Sequence, residues 1–568
     1  MKFLLSYLRP HYKRLKIELL IKFLGTIMDL LLPMLLSYIL TDIAPLKDAG
    51  LVALWGGVMG LCALLCYVFN VVANRMSTGI SRDMTRALRG DLFRKIESLS
   101  CAQVDQFTTP SLVSRMTSDT YNVHQMVDRM QRLGVRAPIL LLGGIMSTLI
   151  LDPVLTLVLV LTLPLLYYIV TSVSGRGIPL YADVQKTLDG MVLKVQENMS
   201  GVRVIKALSK GDYEKKRFEE INRQLSEKDR HAGVVMALSN PAINFILNAG
   251  LTLVILVGAY RVNLGLTKPG TIIAFLNYFI IILNAVLSVT RLFVLYSKGA
   301  ASARRIGEVL NQEEMPKLAE PSGTHSDSFL SMRNVTFSYG KKYPNLTNIS
   351  FDLKKGQSLG VIGATGSGKS TLLSLILRLY DADEGTVTVM GRDVREIPPD
   401  ELYAHFGVVF QNDFLFADTL RRNISFGRQL SDEQIASAVQ DAQAGFIWKK
   451  EKGLEFPLSI RGQNLSGGQR QRVLIARALA SKPDILLLDD CSSALDYKTD
   501  AALRHALKNS LPDTAKVVVS QRVSAIRDLT QIMVLDGGHV IGQGTHEELL
   551  KSCPVYQDIY KTQMGREA

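Results

Sequence analysis

Cysteine is scarce in this chain, with five residues in 568. Cys62 and Cys66 lie one helical turn apart inside an apolar stretch, where small packing side chains are far commoner than a two-cysteine metal site. So few cysteines exclude a disulfide framework and give no indication of an oxidising compartment. We also expect no cleavable signal, because the first apolar run is too long for the core of a signal peptide.

Motifs that combine aromatic and basic residues for nucleic-acid binding are likewise missing, although the net charge is +13. Many of the lysines and arginines lie between apolar stretches, which is typical of the cytoplasmic loops of membrane proteins. We therefore expect a lipid bilayer, and no nucleic acid, among the partners of this chain.

Hydrophobic residues make up 47% of the sequence and are concentrated in its first half. Six apolar stretches are each near the ~20 residues that cross a bilayer. They lie at 17–41, 51–74, 135–151, 154–173, 238–262 and 270–297. Basic residues cluster before the first stretch and in 75–136 and 176–231, which places both termini in the cytoplasm by the positive-inside rule. We predict a multi-pass protein of the cell membrane whose second to fifth spans continue as long cytoplasmic helices.

Changes in composition divide the chain into four segments. Residues 1–16 mix apolar and basic side chains, which predicts an interfacial helix or an ordinary basic flank. An all-α membrane domain follows over 17–310. Residues 311–328 lose all periodicity and contain Pro, Ser and Gly, which is typical of a linker. From 329 to 568, alternating strand and helix patterns predict an α/β domain.

A few polar side chains interrupt the predicted spans, where they are costly unless they face a cavity or another helix. They are Asp29, Asn240, Asn244, Asn248, Asn277 and Asn284. The asparagines indicate either a polar substrate pathway or hydrogen bonds between helices, and the sequence does not separate the two. A buried Asp29 would attract a cationic substrate, or it would form a local salt link or snorkel near one membrane interface.

One stretch in the second domain carries the clearest chemistry. It is Gly363-Ala364-Thr365-Gly366-Ser367-Gly368-Lys369-Ser370, which fits the phosphate-binding P-loop. The apolar run 359–362 before it predicts a buried strand, and 371–379 after it predicts a helix that begins with Thr371. Main-chain N–H groups and the helix N-terminus would hold the phosphates, Lys369 would reach the outer ones, and Ser370 would bind Mg²⁺. We expect ATP and Mg²⁺ as cofactors.

Two further motifs follow the P-loop. The apolar run 485–488 ends in Asp489, which predicts a buried strand that delivers a carboxylate to Mg²⁺. Between the two lies Leu465-Ser466-Gly467-Gly468-Gln469, where adjacent glycines at a helix start make a second anion site.

This second site resembles the signature sequence of the ABC transporter ATPases, and the likeness to ABC exporters extends over nearly the whole chain. The resemblance implies an ABC ATPase domain with a helical subdomain, and an ATP molecule held between the P-loop of one subunit and the signature of the other. It also implies that Tyr339 stacks on adenine, that Gln411 touches Mg²⁺, and that Asp496 belongs to the loop that crosses to the partner. An active unit therefore needs a second half-transporter.

Two positions depart from the family pattern. Asp490 stands where the family usually has the glutamate that acts as general base, and Gln521 stands where it usually has a histidine. An aspartate is one methylene shorter, and a base displaced by ~1 Å loses orders of magnitude in rate. Glutamine hydrogen-bonds a γ-phosphate but carries no positive charge. A lesser departure is at Ser459 and Ile460, where exporters often have glycine and an acidic residue.

These departures favour one half of a heterodimeric exporter. Its substrate would be a drug-like amphiphile or a lipid, because the predicted spans contain few fixed charges. Its own site would bind ATP and hydrolyse it slowly, and its signature would complete the site of a different chain that keeps the glutamate and histidine. The alternatives are a homodimeric exporter or lipid flippase and, from another class, an ATP-gated channel or membrane sensor.

Overall fold

The computed structural model describes residues 2–313, 318–319, 328–340 and 343–565. The chain forms two compact units. The first comprises Met1–Glu97 and Thr109–Gln312, and the second comprises Ser98–Thr108 and Glu313–Ala568. Most of the linker predicted at 311–328 lies outside the described residues.

Long helices dominate the described residues before 311. Their bounds are α1 Lys2–Leu8, α2 Tyr12–Tyr38, α3 Ala49–Glu97, α4 Cys101–Phe107, α5 Thr109–Ser114, α6 Thr120–Leu151, α7 Pro153–Ser200, α8 Val202–Ala207, α9 Gly211–Ala237, α10 Ser239–Asn263 and α11 Pro269–Leu310. Among the described residues, six helical stretches are long and apolar enough to cross a membrane. Several of these helices exceed the ~20 residues that cross a bilayer, and α3 alone has 49 residues.

The first unit is held together by close helix packing. Tyr278 of α11 is fully buried, and its hydroxyl donates a hydrogen bond of 2.6 Å to the carbonyl of Leu30 in α2. Gly144 of α6 lies so near Ile282 that a Cβ would come within 2.7 Å of that side chain. Small residues of this kind let helix backbones approach one another, which is how membrane helices associate.

The second unit contains α4 and, from Leu330 onward, a mixture of strands and helices. Its strands are β1 Leu330–Phe337, β2 Leu346–Leu353, β3 Ser358–Gly363, β4 Glu384–Val389, β5 Arg392–Asp393, β6 Phe406–Val409, β7 Ile485–Asp489, β8 Ala515–Val519, β9 Gln531–Asp536 and β10 His539–Gly544. Its helices are α12 Lys369–Ile376, α13 Pro399–Ala404, α14 Leu420–Ser425, α15 Asp432–Asp441, α16 Gly467–Leu479, α17 Tyr497–Ser510, α18 Val523–Ile526, α19 His546–Ser552 and α20 Pro554–Met564.

The strands form two sheets. Within the described residues, an antiparallel sheet has the order β2-β1-β4-β5, and a larger sheet has the order β10-β9-β3-β8-β7-β6. In the larger sheet, β9, β3, β8, β7 and β6 run parallel, so their carboxyl ends meet at one edge. The predicted fold class, a membrane helix bundle followed by an α/β nucleotide-binding domain, is confirmed.

The predicted bounds of the helix after the P-loop are wrong at both ends, and the helix begins at Lys369 rather than Thr371. The helix after the P-loop ends at Ile376 rather than Leu379, because Arg378 adopts a left-handed φ of 51°. The N–H of Leu379 donates to the carbonyl of Ser374 at 2.9 Å, and the N–H of Arg378 donates to that of Leu375 at 3.0 Å. This is the Schellman ending of a helix, which usually uses glycine and so is hard to foresee from an arginine.

Candidate nucleotide site

The candidate site is a cleft of about 260 Å³ at the carboxyl edge of the larger sheet. Strand β8 lies between β3 and β7, so the segments that follow these strands converge there. The cleft is lined by Asn345, Thr365, Gly366, Gly368, Lys369, Ser370, Thr371, Gln411, Asp489, Asp490, Val519, Ser520 and Gln521. The structure therefore brings together the P-loop, Asp489, Asp490, Gln411 and Gln521, which come from separate parts of the sequence.

The P-loop is tightly built around its glycines. A Cβ at Gly363 would lie 2.1 Å from the carbonyl oxygen of Leu535, and Gly368 has a φ of +98°. Lys369 begins α12, and its Nζ donates to the carbonyls of Gly363 at 3.0 Å and Ala364 at 2.6 Å. Burial lowers the pKa of this ammonium, and the carboxylates of Asp489 and Asp490 oppose that shift. The lysine is thus held at the loop where phosphates would lie.

Ser370 and Asp489 meet directly in the cleft. The Ser370 hydroxyl donates to Oδ2 of Asp489 at 2.8 Å. Asp489 ends the fully buried strand β7 and is only 4% exposed. Burial raises the pKa of its carboxyl, against the effect of the Ser370 hydrogen bond.

Asp490 has a fixed backbone and a short side chain. Its N–H donates to the carbonyl of Val519 at 2.9 Å, and its own carbonyl accepts from Ser493 Oγ at 3.0 Å. Its φ is 46°, a left-handed conformation that Asp adopts more readily than most residues. Burial raises the pKa of the carboxyl, and Arg522 opposes this. Because the backbone is held from two sides, the side-chain length decides how far the carboxylate reaches into the cleft.

Tyr339 lies in an aromatic cluster beside this cleft. Its ring is edge-on to Phe337 and to Tyr380, with 4.9 Å between centroids in each case. Tyr339 is 48% exposed, so part of its surface is accessible to a ligand. The Tyr380 hydroxyl donates to Asp105 of α4 at 2.6 Å, which ties the predicted adenine platform to the segment 98–108 within the same unit.

The signature residues form a capped helix start. Ser466 is the N-cap of α16, and it and Gln469 form a reciprocal capping box. Leu465 is buried, and a Cβ at Gly468 would come within 3.0 Å of the carbonyl of Ala494. Gly467 and Gly468 therefore pack against the loop that precedes Asp496. Asp496 itself caps α17 by accepting from Thr499 N at 2.9 Å, and this hydrogen bond holds the pKa of its carboxyl below the usual range.

Two of the asparagines in the predicted spans bond within their own helices. The side-chain amides of Asn248 and Asn277 donate to carbonyls one turn earlier, at 2.8 and 2.9 Å. Asn244, Asn248, Asn277 and Asn284 are exposed within the described part of the chain, and the Asn240 side chain lies outside it. Both the pathway and the helix-contact hypotheses remain open for this set.

Asp29 sits in a local polar cluster. Its Oδ2 accepts from Arg136 of α6 at 2.8 Å, and its Oδ1 accepts from the thiol of Cys66 in α3 at 2.8 Å. Asp29 thus links α2 to two neighbouring helices, which is the arrangement that the salt-link hypothesis describes.

Removal of Arg136 tests that hypothesis. Arg136→Ala leaves a partly buried carboxylate without its cation, so we expect a loss of about 1–2 kcal/mol in stability. A lower thermal transition of the purified protein would report the loss. Asp29→Asn in the same chain should restore most of it, and Arg129→Ala, at an exposed position of α6, serves as control. A double variant as unstable as Arg136→Ala alone would contradict the prediction.

Sequence reasoning missed three residues near the cleft. Asn345 lines it, and its Oδ1 accepts from the N–H of Tyr339 at 3.1 Å. Arg522 contacts the carbonyls of Ser492 and Ser493, and Gln563 contacts the main chain on both sides of Arg522. None carries a motif signal, because each acts through contacts that only the fold creates.

The fold and the cleft together define a membrane-bound P-loop ATPase with a signature helix. Two family models match the chain: the ABC transporter transmembrane region over residues 17–286 and ABC transporter over residues 346–493. The chain belongs to the ABC transporter family. It is a multi-pass membrane protein in which an ABC ATPase domain drives transport.

Relatives align from end to end. The ABC transporter ATP-binding protein YfiB of Bacillus subtilis is 35% identical over 569 residues, which cover 99% of this chain and 98% of that protein. Rv1273c of Mycobacterium tuberculosis, another ABC transporter ATP-binding protein, is 33% identical over 574 residues, with 98% and 97% covered. A solved structure of a bacterial Atm1-family ABC exporter with ATP bound matches with a TM-score of 0.82 over 99% of both chains at 23% identity. The fold is therefore that of an ABC exporter.

Proposed function

We propose that this chain is one half of a heterodimeric ABC exporter, whose own nucleotide site binds ATP and hydrolyses it slowly. The observation that carries the proposal is the composition of one cleft. An intact P-loop shares it with Asp490 and Gln521 at the two positions that usually hold glutamate and histidine. The signature at Ser466–Gln469 is complete, so it would serve the P-loop of a partner that keeps both usual residues.

Magnesium fits the donors of this cleft. The Ser370 hydroxyl, the Asp489 carboxylate and the Gln411 amide all line it, and oxygen ligands of these kinds suit Mg²⁺. When bound, the ion would offset negative charge on the phosphates. Lys369 and the P-loop amides would hold the phosphates, and Tyr339 would stack on the adenine. The Asp490 carboxylate would lie too far from the attacking water to orient it well, so hydrolysis would be slow.

Transport would follow from closure of two ATPase domains around two ATP molecules. In this proposal the membrane domain extends over 17–310 and the ATPase domain over 329–568, with a linker between them and both termini in the cytoplasm of a cell-membrane protein. The cargo would be an amphiphilic small molecule or a lipid, because the membrane spans carry few fixed charges.

The composition of the active complex tests the proposal. We expect the purified chain alone to hydrolyse ATP slowly, and to gain turnover when it is co-purified with a half-transporter encoded by a neighbouring gene. Robust turnover by the chain alone would contradict the heterodimer and favour a homodimer. An inactive complex would also contradict it.

A second measurement separates transport from the alternative class. Reconstituted in vesicles, the complex should show ATPase activity that rises with an amphiphilic dye and ATP-dependent movement of that dye. An ATP-dependent ion current without dye movement would instead indicate a channel.

A further inference from the structure

The last helix, α20, contacts the segment 521–523 beside the nucleotide cleft. The side-chain Nε2 of Gln563, in the last turn of α20, donates to the carbonyl oxygen of Gln521 at 2.6 Å. Its Oε1 accepts from the main-chain N–H of Val523 at 2.8 Å. One side chain therefore holds the backbone on both sides of Arg522.

The chemistry of the two partners selects an amide at this position. A main-chain carbonyl only accepts and a main-chain N–H only donates, so the side chain must do both at once. A glutamate in place of Gln563 would keep an acceptor for Val523 but would set a second oxygen against the carbonyl of Gln521. An alanine would make neither hydrogen bond.

Helix α20 is itself fixed to the core beneath the cleft. Tyr556 is fully buried in a cluster with Ile362, Val523 and Ile526. Its hydroxyl lies 2.7 Å from Nδ1 of His546, which begins α19. Because Ile362 belongs to β3, directly before the P-loop, the helix that carries Gln563 and the phosphate loop share one core.

The held segment also contacts the chain after Asp490. The Arg522 guanidinium lies 3.5 Å from the carbonyl oxygen of Ser492 and 3.3 Å from that of Ser493. The same group is 5.7 Å from the centroid of the Tyr497 ring. The position of this backbone thus affects both Gln521, which lines the cleft, and the loop that leads to Asp496.

We propose that Gln563 is a positioning residue for recognition of the γ-phosphate. By fixing the backbone of Gln521, it directs that side chain to the part of the cleft where ATP and ADP differ. This inference rests on the proposed function, because it needs the cleft to bind ATP. It predicts that a residue outside every family motif controls the preference of this site for ATP over ADP.

The test measures ATP and ADP affinities separately in the full-length chain paired with its partner half. The P-loop lysine of the partner is replaced by alanine, so that binding reports this chain's cleft. Gln563→Ala should weaken ATP binding by about 5- to 10-fold, the range expected for one or two hydrogen bonds, and leave ADP binding unchanged. Gln563→Glu should resemble Gln563→Ala.

A double-variant comparison and a control complete the test. Gln521→Ala should show the same loss for ATP, and the combination with Gln563→Ala should be no worse than Gln521→Ala alone. Thr562→Ala is the control, since its hydroxyl bonds only to the carbonyl of Asp558 within α20 among the described contacts.

The possible failures are distinguishable. Equal loss of ATP and ADP affinity, or a Gln563→Ala variant that matches Thr562→Ala, would overturn the inference and leave the proposed function intact. A parent complex that binds no ATP at this cleft would overturn the proposed function, and the inference with it.

Discussion

Replacement of Asp490 by glutamate is expected to raise ATP hydrolysis at this chain's own site by about 100-fold, the scale of a ~1 Å correction in the position of a catalytic base. The Asp490 backbone cannot advance into the cleft, because Val519 and Ser493 hold it. The added methylene therefore carries the carboxylate forward. Turnover is measured in the heterodimer with the partner's catalytic glutamate replaced, so that only this site contributes.

Asp490→Gln is the matched control for that gain, since it has the length of glutamate without a base. It should give no increase, and equal rates for the two variants would contradict the role assigned to position 490. Adding Gln521→His to Asp490→Glu should increase the rate further, because histidine can carry the charge that glutamine lacks. A thermal transition of each variant would report any strain from the left-handed φ at this residue.

Lys369→Ala is expected to have an unequal effect on the two halves. In this chain it should reduce turnover of the proposed heterodimer only about 3- to 10-fold, because under the proposal it weakens an ATP that would serve mainly to close the complex. The same change of the partner's P-loop lysine should cost about 100-fold or more, since it removes a donor from the hydrolysing site. Steady-state ATPase rates of the two complexes give the comparison.

Two results would bear directly on this asymmetry. Equal losses from the two lysine changes would contradict a degenerate site in this chain. Lys355→Ala, an exposed position before β3, should leave turnover unchanged and controls for the removal of one surface charge. ATP binding to the Lys369→Ala complex, measured at the same time, would show whether the lysine holds nucleotide as proposed.

Motifs whose function lies in consecutive residues were predictable from the sequence. The glycines of 363–368 and the apolar run that ends at Asp489 specify a strand, a loop and their chemistry locally. The six apolar stretches likewise specified membrane helices, because length and hydrophobicity alone decide whether a helix crosses a bilayer. Asp490 and Gln521 were noticed only because neighbouring motif residues gave them a family position.

Contacts between distant segments were decided by the tertiary structure. Asp29 and Arg136 form an ion pair because α2 and α6 pack together. The hydrophobic periodicity of a helix does not indicate which other helix it packs against. Gln563 belongs to no motif, yet it contacts the main chain of Gln521 because the buried Tyr556 packs its helix against the core that contains Ile362 of β3. The sequence by itself determined where the P-loop motif lies and which stretches are apolar and long enough to cross a membrane. The parallel order of β3, β8 and β7 decided which side chains share the cleft, since strands adjacent in a sheet need not be adjacent in the chain.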